Sequence, residues 1–402
     1  MPNSPKEARP PQPPPRRPKK DKRKASGPIY YPLLSLPAEE QPEDRIGLCL
    51  SGGGYRAMLF HLGALWRLNE VGQLAYLSRI SSVSGGSITA AFLGRQWQSL
   101  MWQRVPYGRA ATNFQQLVVK PLRELARQTI DFGAVVGGIF TAKTIAEKIV
   151  ERYDEHLFRG ATLQDLPDDA LGPRFVINAT DVQNGSLWRF SKPDMRDYRV
   201  GEVKKPIISL ATAVAASSAF PTFLSPFVLQ LSDAAFTIDS GYGRQRPPFT
   251  TSVYLTDSGV YDNLGLETVW KNHRTVLVSD GGGRIADEEK PADDWARHFN
   301  RVLEIVDQQV RSQLIAAFED EARSGAYWGI TTDIAGYGLD DALVAPFERT
   351  VELAATATAL KELPDRLQDA LINWGYAVCD AALRAYVADY PAPADFPYAG
   401  GV

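Results

Sequence analysis

The sequence predicts an α/β fold with a helical last third. Two glycine-rich turns and one long periodic stretch carry that prediction. Residues 79–93 read as a short strand, a tight turn at Ser84 and an apolar helix. Ile80 and Val83 are β-branched and suit a buried parallel strand. Ser87 to Leu93 are small or apolar and suit a helix packed on a sheet. Residues 45–65 repeat the arrangement: an apolar strand, then Gly52-Gly53-Gly54, then a helix through Leu65. Near the other end, Trp295, Phe299, Val302, Val306, Val310, Leu314 and Phe318 recur at spacings of three and four, as on one face of a helix. Leu367, Leu371, Trp374 and Val378 repeat that pattern after Pro364.

Composition sets the frame. A hydrophobic fraction of 44% and a charged fraction of 23% over 402 residues mark a globular chain with ample material for a large core. Residues 1–28 differ. They hold proline runs and nine basic residues against Glu7 and Asp21, so the segment is near +7. The whole chain carries −3, which leaves residues 29–402 near −10. Such a tail is expected to be disordered, either simply solvated or touching anionic lipid or nucleic acid. No apolar run follows the basic start as in a signal peptide, and none is long enough to span a bilayer. The apolar run at 132–140 is too short, and Pro221 and Pro226 interrupt the one at 210–229. Cys49 and Cys379 form neither a disulfide framework nor a metal motif, so a reducing compartment is expected.

Between these landmarks the chain alternates. Helices are expected over 117–127 and 141–153, and a buried strand over 174–182. Residues 187–190 suit its hairpin or crossover partner. A buried helix of small residues is expected over 209–221, stopped by Pro221. Three strand-to-turn units follow, each ending in an aspartate: 236–238 before Asp239, 253–256 before Asp257, and 275–279 before Asp280.

The turn at Ser82-Val83-Ser84-Gly85-Gly86 has the G-x-S-x-G pattern of a nucleophile elbow, with Ser82 in the first glycine position. Small neighbours suit the strained backbone that lifts the serine clear of a sheet. The three glycines at 52–54 leave the backbone free to turn N–H groups toward one point, where a phosphate or an oxyanion would sit. Gly52 and Gly54 fit a dinucleotide fingerprint, but its third glycine is replaced by Ala57. A serine nucleophile needs a base. None of His61, His156, His273 and His298 is in a loop after a strand, and His61 is expected to be buried. Asp239, Asp257 and Asp280 remain as carboxylate candidates, each equally readable as a turn aspartate.

Four stretches, in order, resemble the patatin-like phospholipase family: Ser51-Gly52-Gly53-Gly54-Tyr55-Arg56, Ser82-Val83-Ser84-Gly85-Gly86, Ala215-Ala216-Ser217-Ser218-Ala219-Phe220-Pro221, and Asp257-Ser258-Gly259-Val260-Tyr261-Asp262-Asn263. They lie within residues 46 to about 285. The resemblance implies a three-layer α/β/α sandwich with a mainly parallel sheet. It also implies hydrolysis of lipid acyl esters by a Ser–Asp dyad with no catalytic histidine and no cofactor. Carried over by position, Ser84 is the nucleophile, Asp257 the base, and Gly52, Gly53 and Gly54 the oxyanion hole. Arg56 either holds that loop or meets a lipid phosphate, with a surface ion pair as the plain alternative. Three positions depart from the family's pattern, Ala57, Ser82 and Ser258, all of them small. They leave room for an inactive lipid- or partner-binding scaffold, and the glycines leave room for a nucleotide-binding reading.

The expected organisation is a tail at 1–28, a core at 29–290, and a helical extension at 291–402 that covers the site or completes the core. The expected partners are a lipid substrate and, transiently, a membrane surface, with no nucleic acid. The expected location is cytoplasmic and peripheral to the membrane.

Overall fold

A computed structural model of the chain describes residues 42–130, 142–221, 224–283, 285, 287–320 and 324–402. The basic tail at 1–28 and the apolar run at 132–140 lie outside them. The chain opens with β1 (Glu43–Leu50), α1 (Gly54–Glu70), β2 (Leu77–Ser82) and α2 (Gly85–Gln96). A hairpin of β3 (Trp102–Val105) and β4 (Gly108–Ala111) follows, then α3 (Lys120–Ala126) and α4 (Ala142–Tyr153). Next come β5 (Arg174–Asp181), β6 (Ser186–Phe190), β7 (Asp194–Asp197), β8 (Gly201–Lys204), α5 (Leu210–Ser217) and β9 (Phe227–Gln230). Then follow β10 (Ser252–Thr256), α6 (Gly259–Asp262), α7 (Glu267–Trp270) and β11 (His273–Asp280). The chain closes with α8 (Trp295–Asp320), β12 (Ser324–Gly329), α9 (Phe347–Ala354) and α10 (Asp365–Tyr386).

The central sheet runs in the order β12-β11-β1-β2-β5, all parallel, and continues through antiparallel β6, β7 and β8. Its parallel heart is buried on both faces, as such strands must be. One face packs against α1, α2 and α10 around Leu48, Leu50, Phe60, Leu93 and Trp374. The other carries a smaller cluster of Val269, Trp270, Val276, Val278 and Leu314 from α7, β11 and α8. The result is a three-layer α/β/α arrangement.

The last third joins the core as well as adding helices. β12 pairs with β11 and extends the sheet. α10 crosses α1 so closely that a Cβ on Gly63 would overlap the Ile372 carbonyl, and one on Gly375 the Phe60 carbonyl. Only glycine permits that approach.

Two expectations change. Residues 236–238 form no strand; Ile238 is exposed, and the chain instead turns through Asp239 with φ 56°. The small-residue helix ends at Ser217, before the proline. The periodic stretch at 295–318 forms α8 as expected, with most of its stripe at the surface. Leu314 is buried, but Trp295, Phe299, Val302, Val306 and Val310 are exposed. The side chain of Phe318 lies outside the described residues.

Candidate active site

Strand order explains how distant motifs meet. On β5, Ile177 lies between Ser82 of β2 and Phe190 of β6. Thr180 lies between Thr256 of β10 and Leu187 of β6. β2 and β10 therefore occupy the same flank of β5 and run toward each other, β2 parallel to it and β10 antiparallel. The residues that follow each strand come together where the strands meet. Ser84 follows β2 and Asp257 follows β10.

Ser84 occupies φ 48°, ψ −117°, the left-handed region that side-chain-bearing residues rarely adopt. Its surroundings hold it there. The Ser84 N–H donates to Ser217 Oγ at 2.9 Å, and Ser217 is 2.9 Å from Ser87 Oγ. Ser87 donates to Ser82 Oγ at 3.0 Å, and Ser82 donates to the Val176 carbonyl at 3.2 Å. Ser82, in the first glycine position of the elbow, is thus a link in a chain of serines that fixes the turn. The next two positions have no room for side chains. A Cβ on Gly85 would strike the Gly54 carbonyl, and one on Gly86 would come within 2.5 Å of the Leu50 carbonyl.

Asp257 is buried, and its side chain accepts a hydrogen bond from the Gly259 N–H at 2.7 Å, with the Ser84 hydroxyl near enough to favour its charged form. Its backbone is anchored from both sides. The N–H donates to Ala219 O at 2.9 Å, and the carbonyl accepts from Thr180 Oγ1 at 3.0 Å. Desolvation pushes the carboxyl up to about 7, opposed by the bond from Gly259 and the nearby Ser84 hydroxyl and assisted by the charge of Asp307. A carboxylate poised near neutral pH suits general-base work.

The glycine loop abuts the elbow. A Cβ on Gly52 would lie 3.3 Å from Ser84 Cβ, and Gly54 touches Gly85. Gly53 and Gly54 take φ values of 139° and 62°, which glycine alone adopts readily. Of the three glycines expected to form an oxyanion hole, Gly52 has its N–H committed to the Asn263 carbonyl at 3.1 Å. Among the described residues no backbone carbonyl takes the N–H of Gly53 or Gly54. The N-termini of α1 and α2 converge here, and their partial positive ends favour negative charge near Ser84.

Arg56 is buried beneath the loop rather than facing outward. Its guanidinium donates to the carbonyls of Gly281, at 3.1 Å, and Thr356. Desolvation, with Arg311 nearby, lowers it to about 10. This is a loop-holding position, not an exposed ion pair. A segment between α9 and α10 completes the support. The Ala359 carbonyl accepts the Tyr55 N–H at 3.1 Å, and Leu360 O accepts from Ile130 at 2.8 Å.

The other candidates serve elsewhere. Asp280 accepts from the Gly282 N–H and from Tyr327 and pairs with Arg311, so it braces the loop after β11. Asp239 is exposed. His61 is buried, donates from Nε2 to Ser51 O at 2.9 Å, and meets Ser279 at Nδ1. Burial lowers it to about 4, so it is neutral. His273 is held by Val269 and Ser78, and burial lowers it likewise to about 4.

Sequence reasoning missed two residues here. Ser217 lies within a quoted motif, but its bond to the elbow gave no separate signal. Asp307, on α8, accepts from Asn263 Nδ2 at 2.9 Å. Nothing in its local sequence marks it.

A family model for patatin-like phospholipases matches residues 48–270, from the end of β1 to the end of α7. The chain belongs to the patatin-like phospholipase family. All four motifs of this patatin-like chain lie within the matched span. A search of the curated proteins finds no match. Among solved structures the chain is similar to human GIVD cytosolic phospholipase A2, with 12% identity and a TM-score of 0.46 over 85% of this chain and 60% of that one. It is also similar to VipD from Legionella pneumophila, with 14% identity and a TM-score of 0.35 over 86% of this chain and 67% of that one. The chain thus spans about three fifths of the human phospholipase.

Proposed function

We propose that this chain is a lipid acyl hydrolase, a serine carboxylic-ester hydrolase of the phospholipase A or lysophospholipase kind, working through Ser84 and Asp257. The placement of Ser84, at a strained elbow, beside the buried Asp257 carboxyl carries this reading. Family membership supports the substrate class.

In the proposed reaction Ser84 Oγ attacks the ester carbonyl carbon while its proton passes to the Asp257 carboxylate. The oxyanion that forms is held by the N–H groups of Gly53 and Gly54, in the positive field of the two helix N-termini. Gly52 contributes shape rather than a donor, since its N–H is already bonded. Collapse breaks the bond to the alcohol, which takes the proton from Asp257 and leaves an acyl-serine. Water then attacks that acyl group, giving its proton to Asp257, and collapse returns the proton to Ser84 with release of the fatty acid. Arg56 acts by holding the loop.

A fluorophosphonate probe tests the reading. Covalent labelling together with hydrolysis of a small soluble ester is expected, and both should vanish in Ser84→Ala. A folded wild-type protein that neither labels nor turns over the ester would favour the inactive scaffold instead.

A further inference from the structure

The exposed stripe on α8 is not used by the reaction. Trp295, Phe299, Val302, Val306 and Val310 follow one another at spacings of four, three, four and four, which places them on one face. Trp295 is 77% exposed and Val306 53%. A continuous apolar helix face in water marks an interaction surface.

The stripe adjoins the candidate site. Val306 is next to Asp307, which bonds Asn263 at the end of α6. α6 itself exposes Val260, three residues after Asp257. Apolar exposure on α8 and at Val260 of α6 therefore lies near Asp257.

We propose that this face, centred on the α8 stripe, docks on a lipid bilayer and presents Ser84 to lipid at the membrane surface. The proposal rests on the reading of the chain as a lipid hydrolase. Two observations favour a bilayer as the occupant, and neither is charge, since Arg297 and Arg301, the charged residues between Trp295 and Val302, are paired with Asp294 and Glu288. A tryptophan and a phenylalanine open the stripe, side chains that suit a headgroup boundary. The helix also adjoins, through Asp307 and Asn263, a site whose substrate would be an amphiphile.

Flotation of the full chain with phosphatidylcholine vesicles at high salt tests the idea, because salt screens the basic tail and leaves apolar insertion intact. The wild type should float. Phe299→Ser with Val302→Ser should reduce vesicle partitioning by about tenfold or more, given the apolar area removed. Hydrolysis of a soluble ester should be unchanged, since neither residue belongs to the catalytic set. Equal flotation of wild type and variant would overturn the docking face. So would a wild type that does not float but sediments as a dimer that the double variant abolishes, which would make the stripe a contact between copies. Trp295→Ser, at the exposed start of the helix, repeats the test if the double variant does not fold, and its unaltered flotation would likewise overturn the proposal. Loss of soluble-ester hydrolysis in the wild type would sink the hydrolase reading while leaving the flotation result to stand alone.

Discussion

Asn263 donates a 2.9 Å hydrogen bond to Asp307 while its carbonyl accepts the N–H of Gly52. One side chain and its backbone thus connect the glycine loop to a helix outside the family's motifs. Asp307 also raises Asp257 through its charge, and desolvation holds Asp307 itself up at about 6, so it is mostly ionised at neutral pH.

Replacing Asp307 by Asn keeps an oxygen for Asn263 and removes the charge. Asp257 should then lose a like-charge neighbour and ionise at lower pH. The acid limb of kcat/KM for a soluble ester should move down by roughly half a unit to one unit. An unmoved limb would show that Asp307 is only structural.

In the wild type the base must be ionised to work. With Asp257 at about 7, kcat/KM should fall as pH drops through 7 and level off above it. Asp257→Asn should cost at least the ~10²-fold that general-base catalysis supplies. Asp280→Asn should instead lower thermal stability by disturbing the contacts to Arg311 and Tyr327, with the pH limb unchanged. A dead Asp280→Asn beside an active Asp257→Asn would reverse the assignment.

The same carboxyl affects stability. Its folded value, about 7, exceeds the ordinary 3.8. Between those values the folded state holds a proton that the unfolded chain releases, so stability declines as pH rises from 3.8 to 7. A shift of about three units corresponds to roughly 4 kcal/mol as an upper figure. Asp257→Asn removes that penalty. It should melt higher than wild type at pH 8, with the gap closing toward pH 4. An equal gap at both values would mean that Asp257 is not destabilised by burial.

Gly375→Ala tests the crossing of α1 and α10. The added methyl would overlap the Phe60 carbonyl, and overpacking of this kind costs on the order of 1–3 kcal/mol. A lower melting temperature is expected, and no change would mean that the helices shift apart freely.

The tail gives a charge-based expectation. Deleting residues 1–28 removes about +7 from a chain whose remainder is near −10. Binding to anionic vesicles should weaken at low salt, the difference should shrink as salt rises, and soluble-ester turnover should stay unchanged. Equal binding at low salt would remove the tail from the membrane encounter.

The tight turn at Ser84, the glycine loop and the aspartate motif were legible because each needs small residues at fixed offsets from a strand. The exposure of α8 was not. Periodicity shows that a helix has an apolar face, but it does not show that the sheet already has its cover. That cover includes α10, admitted by Gly63 and Gly375, and neither glycine stood out by spacing. The loss of Gly52 as a donor was equally hidden, because its partner is a backbone carbonyl contributed by Asn263, which lies far along the chain. The strand expected at 236–238 failed for a related reason. The three β-favouring residues make one backbone bond to β8, from the Thr237 N–H to the Glu202 carbonyl, but no ladder, and Ile238 has solvent beside it.

The support from Thr356 and Ala359 has a consequence for biosynthesis. These carbonyls fix Arg56 and the start of α1, yet they are made long after the glycines they steady. A nascent chain that has emerged only as far as Asn263 holds every family motif but lacks the clasp on its glycine loop. Activity should therefore appear only once the segment leading into α10 has been made and is free to close over α1.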